Sequence, residues 1–179
     1  MDDEILGLVI RAKRGDKNAF GKLYNLYFKK IYRYVYYSIY GHELSEDITQ
    51  NTFLKAWKSL PSFTVEKGTF QAYIFMIARN LVTDYQRKRK EISLEVIEDT
   101  TFSEEDLAEQ ISREQNKDMV QNVLSGLNGF EKQIVILRFF EELSFSEIAR
   151  VIGKKEGALR VQIHRILKKL AERLKDYGN

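Results

Sequence analysis

No cysteine occurs among the 179 residues, which excludes disulfides and thiolate metal sites and fits a reducing compartment. Proline occurs once, at Pro61, and histidine twice, at His42 and His164. The stretch His42 to Glu46 lacks the second histidine of a zinc-binding H-E-x-x-H helix, and neither a P-loop nor a dinucleotide fingerprint is present. Long apolar runs are missing too: nothing approaches the roughly 20 residues that a bilayer needs. The N-terminus is acidic at Asp2, Asp3 and Glu4 and has no long apolar core, so it does not read as a signal peptide. These absences point to a cytoplasmic protein, not inserted in a membrane, with no catalytic residues, no metal and no cofactor.

What is present is helix-forming periodicity and unevenly placed charge. Apolar residues recur at 3.6-residue spacing through most of the chain, which predicts an all-α fold. Helices are expected near 2–14, 16–40, 45–59, 69–90, 104–127, 130–140, 145–152 and 156–176. Pro61 ends one of them, and 61–69 reads as a loop. The net charge of +3 divides into +7 over residues 1–90, −8 over 91–116 and +4 over 117–179. Two basic blocks around an acidic one suggest nucleic-acid contact at two places. The architecture expected is two small helical domains, residues 1–90 and 117–179, joined by a flexible acidic linker at 91–116 that includes the start of the next helix, marked by Ser103 and Asp106.

The C-terminal domain carries the clearest local pattern, LSFSEIARVIGKKEGALRVQIHRILKKL at 143–170. Ser144 and Glu147 have capping-box spacing, Ile148 and Ile152 supply a core face, and Ala149 is small where two helices cross. Gly153 sits where the chain turns. In the helix that follows, Leu159, Ile163, Ile166, Leu170 and Leu174 share one arc. Its opposite face holds Gly157, Arg160, Val161, His164, Arg165 and Lys168, with Lys154 and Lys155 just before it. A charge run alone would be a solvated face. With the cap, the alanine, the glycine and the second helix at matching spacing, it reads as a helix-turn-helix whose second helix enters a major groove.

Residues 75–90, FMIARNLVTDYQRKRK, combine a greasy face, an asparagine and a cationic tail. Over 73–87, Ile74, Ile77, Ala78, Leu81, Val82 and Tyr85 cluster on one side. Tyr73, Met76, Asn80, Thr83, Asp84 and Arg87 lie on the other. Aromatic, amide and cationic groups together suit unpaired bases, and Phe63, Lys67 and Phe70 from the preceding loop suit the wall of a pocket for an extruded base. Any one of these aromatics could equally be packing. Seven of the ten tyrosines fall in 24–40 and read as the core and amphipathic rim of a helix pair.

The stretches EDITQNTFLKAWKSLPSF (46–63) and FQAYIFMIARNLVTDYQRKRK (70–90) resemble region two of the extracytoplasmic-function sigma factors of RNA polymerase. LRFFEELSFSEIARVIGKKEGALRVQIHRIL (137–167) resembles their region four. The resemblance implies a transcription initiation factor that binds bacterial core RNA polymerase and promoter DNA, in many relatives under an anti-sigma factor. It assigns Asp47, Gln50 and Asn51, with Leu54 beside them, to docking on the polymerase clamp, although a solvated helix capped by Ser45 explains the same face. It assigns Asn80 and its neighbours, with the 61–69 loop, to the melted non-template strand of the minus-ten element. Arg160, Val161, His164 and Arg165 would read the minus-thirty-five duplex, while Lys154, Lys155 and Lys168 add charge near phosphates. Tyr73-Ile74-Phe75 departs from the family's usual Trp-Leu-Tyr. Lys154 and Lys155 replace an apolar residue and a serine, Val161 a small polar residue, and Gln162 an arginine. The alternative reading is a stand-alone helix-turn-helix regulator with an N-terminal sensor or dimerisation module, which would have no reason to carry 46–63 and 70–90.

Overall fold

The computed structural model describes the backbone of residues 3–64, 66, 68–95 and 123–176, and the side chains of those up to 90 and from 123 to 172. The acidic segment 96–116 and Lys67 lie outside the described residues. Among those described there are helices and loops and no strand. Helices α1 (Asp3–Lys13), α2 (Lys17–Ile39), α3 (His42–Ser59) and α4 (Phe70–Glu95) make the N-terminal half. A 3-10 turn at Leu60–Ser62 carries Pro61 and ends α3. In the C-terminal half come α5 (Gly129–Val135), which passes into a π-helical turn at Ile136–Phe140, then α6 (Phe145–Ile152) and α7 (Glu156–Asp176).

The helix starts follow from named side chains. Asp16 caps α2 by accepting from the Ala19 N–H at 3.0 Å, and Thr69 caps α4 by accepting from the Ala72 N–H at 3.1 Å. Ser144 and Glu147 form the expected capping box on α6. Asn128 and Glu131 form a second one on α5, legible in the sequence as N-x-x-E. Two expectations are corrected. Ser45 is not an N-cap, because α3 starts three residues earlier, behind Gly41; Ser45 is buried inside the helix and its hydroxyl donates to the Gly41 carbonyl. Helix α4 does not stop at residue 90 but runs to Glu95, since 91–95 holds neither glycine nor proline to break it.

One apolar cluster spans both halves, from Leu8, Leu23 and Ile31 through Phe75 and Val82 to Ile134, Ile148 and Ile166. Tyr27 and Tyr34 of α2 are buried while Tyr24, Tyr32, Tyr36, Tyr37 and Tyr40 are half-buried, the core and rim expected of that tyrosine-rich helix. Polar contacts join the halves. Arg33 on α2 donates to both carboxylate oxygens of Glu141, at 2.6 and 2.9 Å, and to the Phe140 carbonyl at 2.7 Å. Thr69 donates to Glu147 at 2.7 Å, and Arg79 donates to Gln133 at 3.3 Å. The rings of Tyr37 and Phe140 lie 5.3 Å apart. The Glu141 side chain is fully buried and that of Arg33 is 45% exposed. Burial pushes the Glu141 carboxyl upward by more than Arg33 pulls it down, while the hydrogen bond to Glu141 pushes the guanidinium up. The pair has formed, but desolvation consumes most of its Coulomb gain.

Candidate nucleic-acid and polymerase interfaces

On α3, Asp47, Gln50, Asn51 and Leu54 all lie on the exposed side, at spacings of three and four that put them on one stripe. Leu54 is half exposed. Together with Lys17, Phe20, Phe53 and Trp57 it lines an open, mostly apolar groove of about 340 Å³. Phe20 and Trp57 pack ring to ring at 4.8 Å on its floor. An apolar leucine bordered by a carboxylate and two amides is the pattern of a contact surface: apolar centre, polar rim.

Helix α4 buries Ile74, Phe75, Ala78 and Val82 completely, which fixes its rotation and turns Met76, Asn80, Thr83, Asp84 and Arg87 to solvent. Asp84 and Arg87 pair at 3.4 Å, an exposed contact one turn apart. Asn80 and Ile77 face Lys55, Lys58 and Ser59 of α3 across an open cleft of about 390 Å³. The cleft therefore has a neutral amide on one wall and two ammonium groups on the other. That combination can hydrogen-bond a base edge and hold the backbone phosphates flanking it.

In the C-terminal half, α6 and α7 meet at Gly153, which adopts φ 72° as the turn requires. Leu159, Ile163 and Ile166 are buried, as their common arc predicts. Gly157, Arg160, Val161, His164, Arg165 and Lys168 are all exposed, and so are Lys154 and Lys155 at the entrance to the helix. Arg160 is braced: its guanidinium donates to Glu156 at 2.6 Å and stacks 4.3 Å from the Phe145 ring centre. Two helices joined by a tight turn, the second presenting a cationic exposed face, make a helix-turn-helix with its reading surface open.

Residues 23–92 match the model of Sigma-70 region 2 and residues 117–170 that of Sigma-70, region 4. The chain belongs to the extracytoplasmic-function sigma factors. It is a transcription initiation factor that directs RNA polymerase to promoters. It is 35% identical over 175 residues to the ECF RNA polymerase sigma factor BldN of Streptomyces coelicolor, covering 96% of this chain and 66% of BldN. It is 27% identical over 181 residues to SigW of Bacillus subtilis, covering 93% of this chain and 94% of SigW. Among solved structures it resembles CnrH in complex with the cytosolic domain of CnrY, at TM-score 0.76 and 22% identity over 98% of this chain and 99% of that one. A second is RpoE in complex with the anti-sigma factor NepR from Bartonella quintana, at TM-score 0.69 and 22% identity over 87% of this chain and 96% of that one; these two show the shared fold.

Within this sigma factor the pocket expected from the 61–69 loop is differently made. Phe63 and Phe70 do not wall it: they are 4% and 0% exposed and pack edge to face with rings 6.3 Å apart. Both rings turn inward: Phe70 packs on Tyr27 of α2, ring centres 5.4 Å apart, and Phe63 packs on Phe70 and Tyr73. Tyr73 is half-buried, with its hydroxyl 2.6 Å from Ser59 Oγ and its ring 4.9 Å from Phe63, so it braces the cleft from behind. Burial raises its phenol pKa. Lys67, the fourth loop candidate, lies outside the described residues. What the sequence reading missed is Lys55, Lys58 and Ser59. Their signal was available, since with Asn51 they continue one face of α3 at positions 51, 55 and 58, one helical repeat after another.

Proposed function

We propose that this sigma factor divides its work between three surfaces. The α3 stripe of Asp47, Gln50, Asn51 and Leu54 docks on core RNA polymerase, its apolar groove taking an apolar ridge of the clamp and the carboxylate and amides setting register. The α4 face of Met76, Asn80, Thr83, Asp84 and Arg87, opposite Lys55 and Lys58, holds the unpaired non-template strand of the minus-ten element. The exposed face of α7 reads the minus-thirty-five duplex with Arg160, Val161, His164 and Arg165, while Lys154, Lys155 and Lys168 contact phosphates.

The observation that carries this reading is the cleft between Asn80 and the two lysines. Extruding a base costs on the order of a few kcal/mol. Stacking and base-edge hydrogen bonds on α4, with phosphate neutralisation by Lys55 and Lys58, offset that cost and tip duplex into bubble. Two modest DNA contacts on one polymerase reinforce each other by effective concentration. Catalysis belongs to the polymerase, so the site needs neither metal nor cofactor, and the protein works in the cytoplasm where polymerase and promoter are. The complex of its structural neighbour RpoE with the anti-sigma factor NepR supports a partner of that kind here.

The test is run-off transcription with bacterial core polymerase on promoter fragments from the source genome. Discrete new transcripts are expected, lost in Asn80→Ala and in the Arg160→Ala/Arg165→Ala double variant. Transcripts that survive both changes would overturn the residue assignments. Absence of co-elution with core polymerase would remove the α3 docking surface.

A further inference from the structure

Two apolar side chains of α7 are exposed, Val161 and Leu167, and Val161 is the one near the N-terminal end, which enters a groove. Val161 is 54% exposed, between Arg160 and Gln162 and one turn before His164 and Arg165. One turn earlier stands Gly157, where even an added Cβ would meet nothing within 4 Å. An exposed β-branched residue at this place serves neither the helix, whose surface positions favour unbranched chains, nor the core, which lies on the opposite arc with Leu159, Ile163 and Ile166.

Its neighbour is committed elsewhere. Arg160 has its guanidinium on Glu156 at 2.6 Å and over the ring of Phe145 at 4.3 Å. A bidentate grip on a guanine edge needs two free donors on one side of the fork. Here Glu156 holds one donor, Nη2, in an exposed ion pair, so Arg160 reads the duplex only by giving up that contact. The next residue along the face needs no such exchange.

The valine methyl groups can neither donate nor accept a hydrogen bond. In the major groove the apolar group that a base pair presents is the C5-methyl of thymine. We propose that Val161 packs on a thymine methyl in the minus-thirty-five element, and that this apolar contact is a main source of sequence discrimination by α7. The inference rests on the reading of α7 as the duplex-binding helix and adds the chemical group that it recognises.

The experiment starts from duplexes enriched out of a randomised upstream pool by the full chain bound to core polymerase. Each thymine of the enriched element is then replaced singly by deoxyuridine, which removes the methyl and leaves every hydrogen-bonding group in place. One position should lose about fourfold in affinity, the equivalent of about 0.8 kcal/mol for one buried methyl. In Val161→Ala that sensitivity should vanish while binding to the deoxyuridine duplex stays within about twofold of wild type. Arg160→Ala should weaken duplex binding and keep the thymine preference. A specifically bound duplex insensitive to every replacement would overturn the proposal and leave the duplex-binding reading standing. So would a sensitivity that persists in Val161→Ala. Failure to enrich any upstream sequence would overturn both.

Discussion

Gly68 holds φ 131° immediately before the cap of α4, in backbone space that costs any other residue strain. A Cβ built there would lie 2.4 Å from Arg150 Nη1 and 3.0 Å from its Cδ. Arg150 is exposed and can swing aside, so the dihedral is the larger cost. Gly68→Ala is expected to destabilise by about 1–2 kcal/mol, a melting temperature lower by roughly 2–8 °C, readable by calorimetry. An exposed change such as Asn80→Ala should leave the melting temperature within about 1 °C, because surface substitutions away from caps and cores move stability by under about 0.5 kcal/mol. Against that baseline a loss of transcription in Asn80→Ala reports on DNA and not on folding.

Thr69 sits where two elements meet, accepting from the first turn of α4 and donating to Glu147, the capping-box glutamate of α6. Burial pushes the Glu147 carboxyl up, but hydrogen bonds from Thr69 and from Ser144 outweigh it and hold the carboxyl below its ordinary range. A depressed carboxyl stabilises the fold at pH above its unfolded value of about 4.3 and loses that contribution as pH falls through the folded value. Thr69→Ala removes both a cap and one of these hydrogen bonds. The expected loss is about 1–2 kcal/mol at pH 7, shrinking below about pH 4 as Glu147 is protonated in both proteins; urea titrations at pH 7 and pH 3.5 measure the difference. Further along α4, Arg87, Lys88, Arg89 and Lys90 are all exposed. Neutralising three of them should lower the log–log salt slope of single-strand binding by about 2, at about 0.7 per phosphate contact.

Helices were readable wherever a periodic apolar face coincided with a capping residue, as at Ser144–Glu147 and along Leu159, Ile163 and Ile166. Reading was weakest for aromatics. Phe63 and Phe70 have the composition of a stacking platform, and only their packing in the fold shows that they are core. The lysines of the cleft were missed for the converse reason, since Lys55 and Lys58 become a site only when another helix brings Asn80 opposite. Charge blocks gave two nucleic-acid surfaces but nothing of how the halves meet, because Arg33 and Glu141 stand 108 positions apart.

The molecule as a whole is too small, in the form seen here, for both DNA elements at once. A compact chain of this length has a radius of gyration of about 16 Å, hence a diameter of about 40 Å. On the proposed function, α4 and α7 read elements whose names place them about 25 base pairs apart, about 85 Å at 3.4 Å per pair. On that reading the halves separate when both elements are held, and the Arg33–Glu141 contact breaks. Arg33→Ala leaves the Glu141 charge without its partner. With Arg33 itself 45% exposed, the expected cost to the closed form is about 1–3 kcal/mol. Fluorescence transfer between dyes on α1 and α7 should fall in Arg33→Ala at physiological salt, and an unchanged transfer efficiency would show that the remaining contacts hold the halves together.

That contact also sets how eagerly the chain is recruited. A partner that accepts only parted halves binds in proportion to the fraction already parted. A closing free energy of about 2 kcal/mol leaves roughly 3% of molecules parted and weakens apparent binding about thirtyfold. Where several initiation factors draw on one pool of polymerase, the contacts between the halves, Arg33–Glu141 among them, thus weigh on this chain's place in the queue. A substitution that touches neither DNA nor polymerase can change how much of the genome's reading it commands.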